Sequence, residues 1–95
     1  MAKVADTTEK RLDLLLDSSS DAYEELPEVA AEIKGWNDGE RMGYVYDWFL
    51  VEERLKELER DATKMNSDQR RRYDRLKELI KKNEEHAELI KTLAI

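Results

Sequence analysis

From Tyr44 onward the apolar positions advance by alternating fours and threes: Tyr44, Trp48, Val51, Leu55, Leu58, Ala62 and Met65. That is the a/d seam of a helix packed along one side. A second seam follows at Tyr73, Leu76, Ile80, Asn83, Ala87, Ile90 and Ala94. Between them Asn66, Ser67 and Asp68 supply cap-forming side chains, and Asn66 with Gln69 fits a capping box. The pattern predicts helices over 40–65 and 68–93 joined as a long antiparallel hairpin. Folding at this corner sets Trp48 opposite His86 and Ala87, and Tyr44 near Leu89. The turn end should then project as a two-helix arm.

The first third of the chain reads as two shorter helices. Residues 1–5 look flexible. Asp6 with Glu9 resembles a capping box and opens a helix over 7–17, striped by Leu12, Leu15 and Leu16. Ser18, Ser19 and Ser20 break that helix and offer the next N-cap. A second helix over 20–35 carries Tyr23, Leu26, Ala30 and Ile33, with Pro27 in its first turn and Gly35 in the left-handed position after its end. Trp36, Asn37, Asp38 and Gly39 form a loop. These two helices are expected to cover the open end of the hairpin, with Trp36 as a wedge. The fold class is all-α, a small helical bundle in a single domain spanning 1–95.

One block departs from simple amphipathicity. Seven of the eight residues Tyr44–Val51 are apolar or aromatic, and the block holds four of the chain's seven aromatics. Its residue types also suit a strand, but no second strand is present to pair with it, so helix is favoured. A helix apolar on nearly every side must be covered on nearly every side. Tyr44 and Trp48 fill the seam, and Val45 and Phe49 face the N-terminal helices. Tyr46 and Leu50 are left over. With Trp36 just upstream, they are the candidate partner-binding residues, tyrosine being favoured at binding hot spots.

Composition narrows the function classes. Hydrophobic content is 40% and charged content 42%, with three Gly and one Pro, which favours exposed helices over a loop-rich β fold. Residues 1–50 carry 12 acids and 5 bases, and residues 51–95 carry 11 acids and 12 bases. An acidic front half argues against nucleic acid, which requires a basic stripe, and suits a basic protein partner. The basic cluster Arg70, Arg71, Arg72 and Arg75 is interleaved with Asp68, Asp74 and Glu78, which neutralise it through i,i+4 pairs. No apolar run approaches a membrane span, and no leader is evident, so a cytoplasmic protein is expected.

Candidate chemistry is sparse. There is no Cys, no glycine-rich phosphate loop and no nucleophile elbow. His86, the only histidine, has Lys82, Asn83, Leu89 and Ile90 at helical spacing and no carboxylate among them. A structural role beside the core is expected for it. Asn83 occupies a seam position, where a buried Asn can set register and oligomeric state at some cost in stability. No catalytic residue, cofactor or metal ligand is assigned. The leading expectation is therefore a non-catalytic protein-interaction module. It would be antitoxin-like or inhibitor-like in size and acidity, bind a basic surface, and form a homodimer. The alternatives are a purely structural helical homo-oligomer, and a small metal-binding bundle using Glu84, Glu85, His86 and Glu88.

Overall fold

A computed structural model describes the backbone of residues 3–93 and the side chains of residues 8–93. It contains α1 (Lys3–Glu32), α2 (Asp38–Arg60), α3 (Ser67–Lys82) and α4 (Glu84–Thr92), with single 3₁₀ turns at Ile33–Gly35 and Ala62–Lys64. Among the described residues there is no strand, and no helix is long and apolar enough to cross a membrane. Ala94 and Ile95, expected at the apolar end of the second seam, lie outside the described residues, as do residues 1 and 2 of the segment expected to be flexible.

The main departure from expectation is α1. It does not stop at Ser18–Ser20, and the helices expected over 7–17 and 20–35 are one helix of 30 residues. At about 1.5 Å per residue it is about 45 Å long, in a molecule 50 Å in its longest extent. The reason is a seam that runs through the serines. Leu12, Leu16, Ser19, Tyr23, Leu26 and Ile33 are all buried, and Ser19 fills the heptad position between Leu16 and Tyr23. Tertiary packing of that face outweighs the modest helix propensity of three serines. Asp6 is consequently not an N-cap, since the helix already begins at Lys3.

Pro27 lies inside the helix rather than in a first turn. Its ring is exposed while Leu26, Val29 and Ile33 around it are buried, so the lost hydrogen bond falls on the solvent side. Interior proline costs about 3 kcal/mol in an isolated helix, and here the flanking burial offsets it. Gly35 does not adopt a left-handed conformation; no glycine has positive φ. The helix tightens into the 3₁₀ turn instead, closed by the Trp36 N–H on the Ile33 carbonyl at 3.1 Å. The Arg41 guanidinium then caps the end of α1, donating to the carbonyls of Trp36 (2.8 Å), Lys34 (3.3 Å) and Ile33 (3.4 Å).

α1 is the spine of the bundle. It packs against α2, α3 and α4, whereas α2 and α3 hardly touch. Arg11 pairs with Asp61, and Tyr23 packs on Trp48, so α2 runs antiparallel to α1. Glu9 and Asp13 meet Gln69 and Arg72, so α3 runs parallel to it. The turn end is therefore not a projecting arm, because the first half of α1 covers it. Asn66 caps α3 in the expected capping box with Gln69 and also donates to Glu9 Oε1 at 2.9 Å. Gln69 Nε2 bonds the Glu9 carbonyl and Asp13 Oδ1, each at 3.0 Å, and Arg72 reaches Asp13 at 2.9 Å.

The helix expected over 68–93 is interrupted at Asn83. The Asn83 N–H is shared between the carbonyls of Leu79 (3.2 Å) and Ile80 (3.1 Å), and its side-chain amide donates to Leu79 at 2.9 Å. An asparagine that bonds its own helix end competes with helix continuation. α4 restarts at Glu84 and turns across the bundle, where Lys91 pairs with Glu52 of α2 at 2.9 Å. Ile90 is buried by this arrangement.

Two predictions concern this framework. Among the described residues, Ser19 Oγ and Trp48 Nε1 are buried without a hydrogen-bond partner. A buried unpaired hydroxyl costs about 1–3 kcal/mol, so Ser19→Ala should raise stability by about 1 kcal/mol and the thermal midpoint by about 5 °C. A lower midpoint in a thermal melt would contradict the assignment of Ser19 to the seam.

The second concerns acid. The Arg11 hydrogen bond, with Lys64 and Arg60 nearby, holds the Asp61 carboxyl below its usual 3.8, and hydrogen bonds from Gln69 and Arg72 do the same for Asp13. A depressed folded pKa contributes stability above the unfolded value and loses it as pH falls through the folded one. Thermal melts should therefore weaken from about pH 4 downward. Asp61→Asn should melt lower at pH 7 and show a shallower acid limb; parallel limbs would contradict this.

Candidate functional site

α2 is built so that one face is fixed and the opposite face is left bare. Its start is set by Asn37, whose Oδ1 accepts from the Glu40 N–H at 2.8 Å, and by Arg41, which ties it to the end of α1. Val45, Trp48, Val51 and Leu58 are buried on the inner side. Trp48 is the anchor. Its ring meets Tyr23 edge-on, with centroids 4.9 Å apart, and lies nearly parallel to Tyr44 at 6.4 Å. Contact between helices through such rings is worth about 0.5–1.5 kcal/mol beyond the area buried. Burial, followed by the Glu52 carboxylate, pushes the Tyr23 phenol up to about 12. Burial, followed by Glu25 and Asp47, does the same for Tyr44, also to about 12. Both phenols stay neutral and act as packing groups.

The outer side carries Met42, Tyr46, Phe49 and Leu50, exposed to 39%, 67%, 43% and 54%. Their spacing of i, i+4, i+7 and i+8 places them on one helix face. Large apolar side chains expose about 200 Å² each when free, so the stripe presents about 400 Å² of apolar surface, within the range of patches that carry function. Gly39 and Gly43 border it at the same spacing. A Cβ at Gly43 would meet nothing within 4 Å, so among the described residues no side chain occupies that space. Leu14 is 70% exposed on α1, but among the described residues no other exposed large apolar residue lies at helical spacing from it.

The structure brings Tyr46 and Leu50 together on this stripe and separates Trp36 from them. Trp36 is half-buried at the joint between α1 and α2, edge-on to Tyr44 with centroids 5.8 Å apart. Trp48 packs on Tyr23 and Tyr44, as the register set by α1 requires. Phe49, expected to be absorbed by the N-terminal helices, stays partly in solvent, as does Met42. Met42 and Phe49 both stand at helical spacing from Tyr46, four residues before it and three after. Arg41 as the cap of α1 had no sequence signal, because its acceptors are carbonyls brought near only by the fold.

Asn83 is buried and His86 half-buried, and they meet at 3.0 Å between Asn83 Oδ1 and His86 Nδ1. Both side chains serve the break between α3 and α4. Glu84 and Glu88 line a shallow groove with Glu52, Tyr23 and Lys91, where the Lys91 ammonium bonds Glu52. Among the described residues no group of three or more His, Cys, Asp or Glu is placed to hold a metal ion.

Acidic residues line the outer side of α1 below the serines. Asp21, Glu25, Glu28 and Glu32 are all exposed and step by four, three and four, which puts them on one face. Glu25 and Asp47 flank a small cleft between α1 and α2 floored by Tyr44 and Trp48. The apolar stripe and this acidic row thus belong to adjoining helices at one end of the bundle. No protein-family model, no curated protein and no solved structure matches this chain.

Proposed function

We propose that the protein is a non-catalytic protein-interaction module. The observation that carries this is the outer face of α2, where Met42, Tyr46, Phe49 and Leu50 are exposed side by side. Their burial within the chain would have required no change of fold class, only a fourth long helix on that side. Water contact over about 400 Å² of apolar surface costs free energy at about 25 cal/mol per Å², and a docking partner recovers it. Tyrosine at the centre of an apolar patch is the composition of a binding hot spot.

The acidic row on α1 gives the partner a chemistry. A basic protein surface laid beside α2 would meet Asp21, Glu25, Glu28 and Glu32, which steer encounter through their combined field. In size, charge and the use of a single helical face, this resembles the mode of small antitoxin-like or inhibitor-like proteins that cover a basic surface.

Site-specific photocrosslinking in cells tests the module. A photoreactive residue at position 46 should yield a discrete protein adduct, whereas the same residue at position 14, equally exposed but isolated, should yield none. Absence of an adduct at 46, or equal adducts at both, would contradict the proposal. A bundle organised around metal would respond differently: zinc or magnesium at a hundredfold excess over its dissociation constant would stabilise the fold by about 2.7 kcal/mol. The module reading predicts an unchanged melting temperature.

A further inference from the structure

We infer that the outer face of α2 is the seat of a second copy of this chain, docked as an antiparallel helix pair about a two-fold axis beside Tyr46. The inference rests on the reading of that face as a docking surface and makes a second copy its occupant, while the acidic row on α1 stays outside the pair and open to a basic partner.

Three features of the face favour a second copy. The first is shape. At 100° per residue, Tyr46 lies near the middle of the face, Met42 and Phe49 on one flank, and Gly39, Gly43 and Leu50 on the other. A two-fold axis perpendicular to an antiparallel pair brings each flank against the same flank of the partner. With the axis beside Tyr46, Met42 of one copy meets Phe49 of the other, and Leu50 of one copy meets Gly43 of the other. The open space above Gly43 then receives a leucine side chain. Glycine inside a helix costs about 1 kcal/mol relative to alanine, and nothing within this chain calls for it there.

The second is charge. Asp38 begins α2 on the Met42 flank, 96% exposed and paired with Arg41 at 3.2 Å, while Lys56, 73% exposed and paired with Glu53 at 3.3 Å, lies on the same flank two turns beyond Phe49. The same axis sets Asp38 of each copy against Lys56 of the other. A parallel pair would instead set the Met42 flank of one copy against the Gly43 flank of the other, with both Asp38 residues at one level and no Lys56 opposite either. Antiparallel docking also carries the acidic rows of the two α1 helices to opposite ends of the dimer, which limits repulsion between chains of net charge −6.

The third is area. A standard interface buries about 800 Å² per partner, somewhat more than half of it apolar. The stripe's apolar surface of about 400 Å² is close to that share, with Asp38, Glu53 and Lys56 available as a polar rim.

Sedimentation equilibrium on the full chain, over a wide concentration range, tests this. The expected result is a monomer–dimer equilibrium. Tyr46→Arg should weaken it at least about 100-fold without lowering the melting temperature. Gly43→Met should weaken it about 10-fold or more while leaving helix content equal or higher, because the side chain has free space in the monomer but blocks Leu50 of the partner. Asp38→Lys should weaken association, and adding Lys56→Asp should restore it. A monomer at every concentration would overturn the inference, as would a dimer indifferent to Tyr46→Arg and Gly43→Met. Failure of the double charge reversal would overturn the antiparallel arrangement. A monomer whose position 46 still crosslinks to a different protein would remove the second copy and leave the module standing.

Discussion

The fold depends on one constraint: the apolar seam of α1 has to stay continuous across Ser18–Ser20 and Pro27. Only an unbroken helix places Leu12 and Leu16 beside the turn end of the molecule and Tyr23, Leu26 and Ile33 beside the aromatic end at the same time. The partners differ along its length. Near the turn they are Gln69, Arg72 and Asp61; in the middle they are Trp48 and, across a shared groove from Tyr23, Ala87 and Lys91 of α4. Because the backbones of α2 and α3 seldom come close to each other, most of the hold on each runs through α1. Serine propensity and an interior proline oppose this continuity by a few kcal/mol in an isolated peptide. The burial of six seam positions on three neighbours overrides them.

The exposed stripe on α2 follows from the same geometry. A single spine can bury one side of α2, and that side takes Val45, Trp48, Val51 and Leu58. α4, turned across the bundle by Asn83, covers one edge through Lys91 and Glu52. No element remains for the outer face, although its side chains are as apolar as those inside. The surface thus arises because α2 has more apolar perimeter than this small bundle can cover, and an external helix is the natural complement.

Much of the helical content was legible in the sequence, and the buried seam positions were read correctly for Trp48, Val51 and Leu58 of α2, Tyr73 and Leu76 of α3, and Ile90 of α4. The capping box of Asn66 and Gln69 was equally plain, since it depends on residues three apart. The continuity of α1 was obscured because Ser19 interrupts a run of leucines; counting positions rather than hydrophobicity would have kept the heptad from Leu16 to Tyr23. The arrangement of the helices was harder to see. A short connection favours packing of its two flanking helices, but α1 supplies a longer and better-matched surface for each. Of the candidate site, Tyr46 and Leu50 were found by elimination on the helical wheel. Phe49 was missed because the N-terminal helices were assigned to cover it, and Met42 because it lies just outside the apolar block.

Continuity of α1 is measured most directly by a distance along it. The chain has no cysteine, so Lys10→Cys and Ala31→Cys can be spin-labelled without interference. An unbroken helix holds these positions about 32 Å apart, and pulsed dipolar spectroscopy should return a single narrow distribution near that value. A markedly shorter or broad distribution would mean that the helix breaks at the serines. The spine, and the account of the surface built on it, would then be wrong.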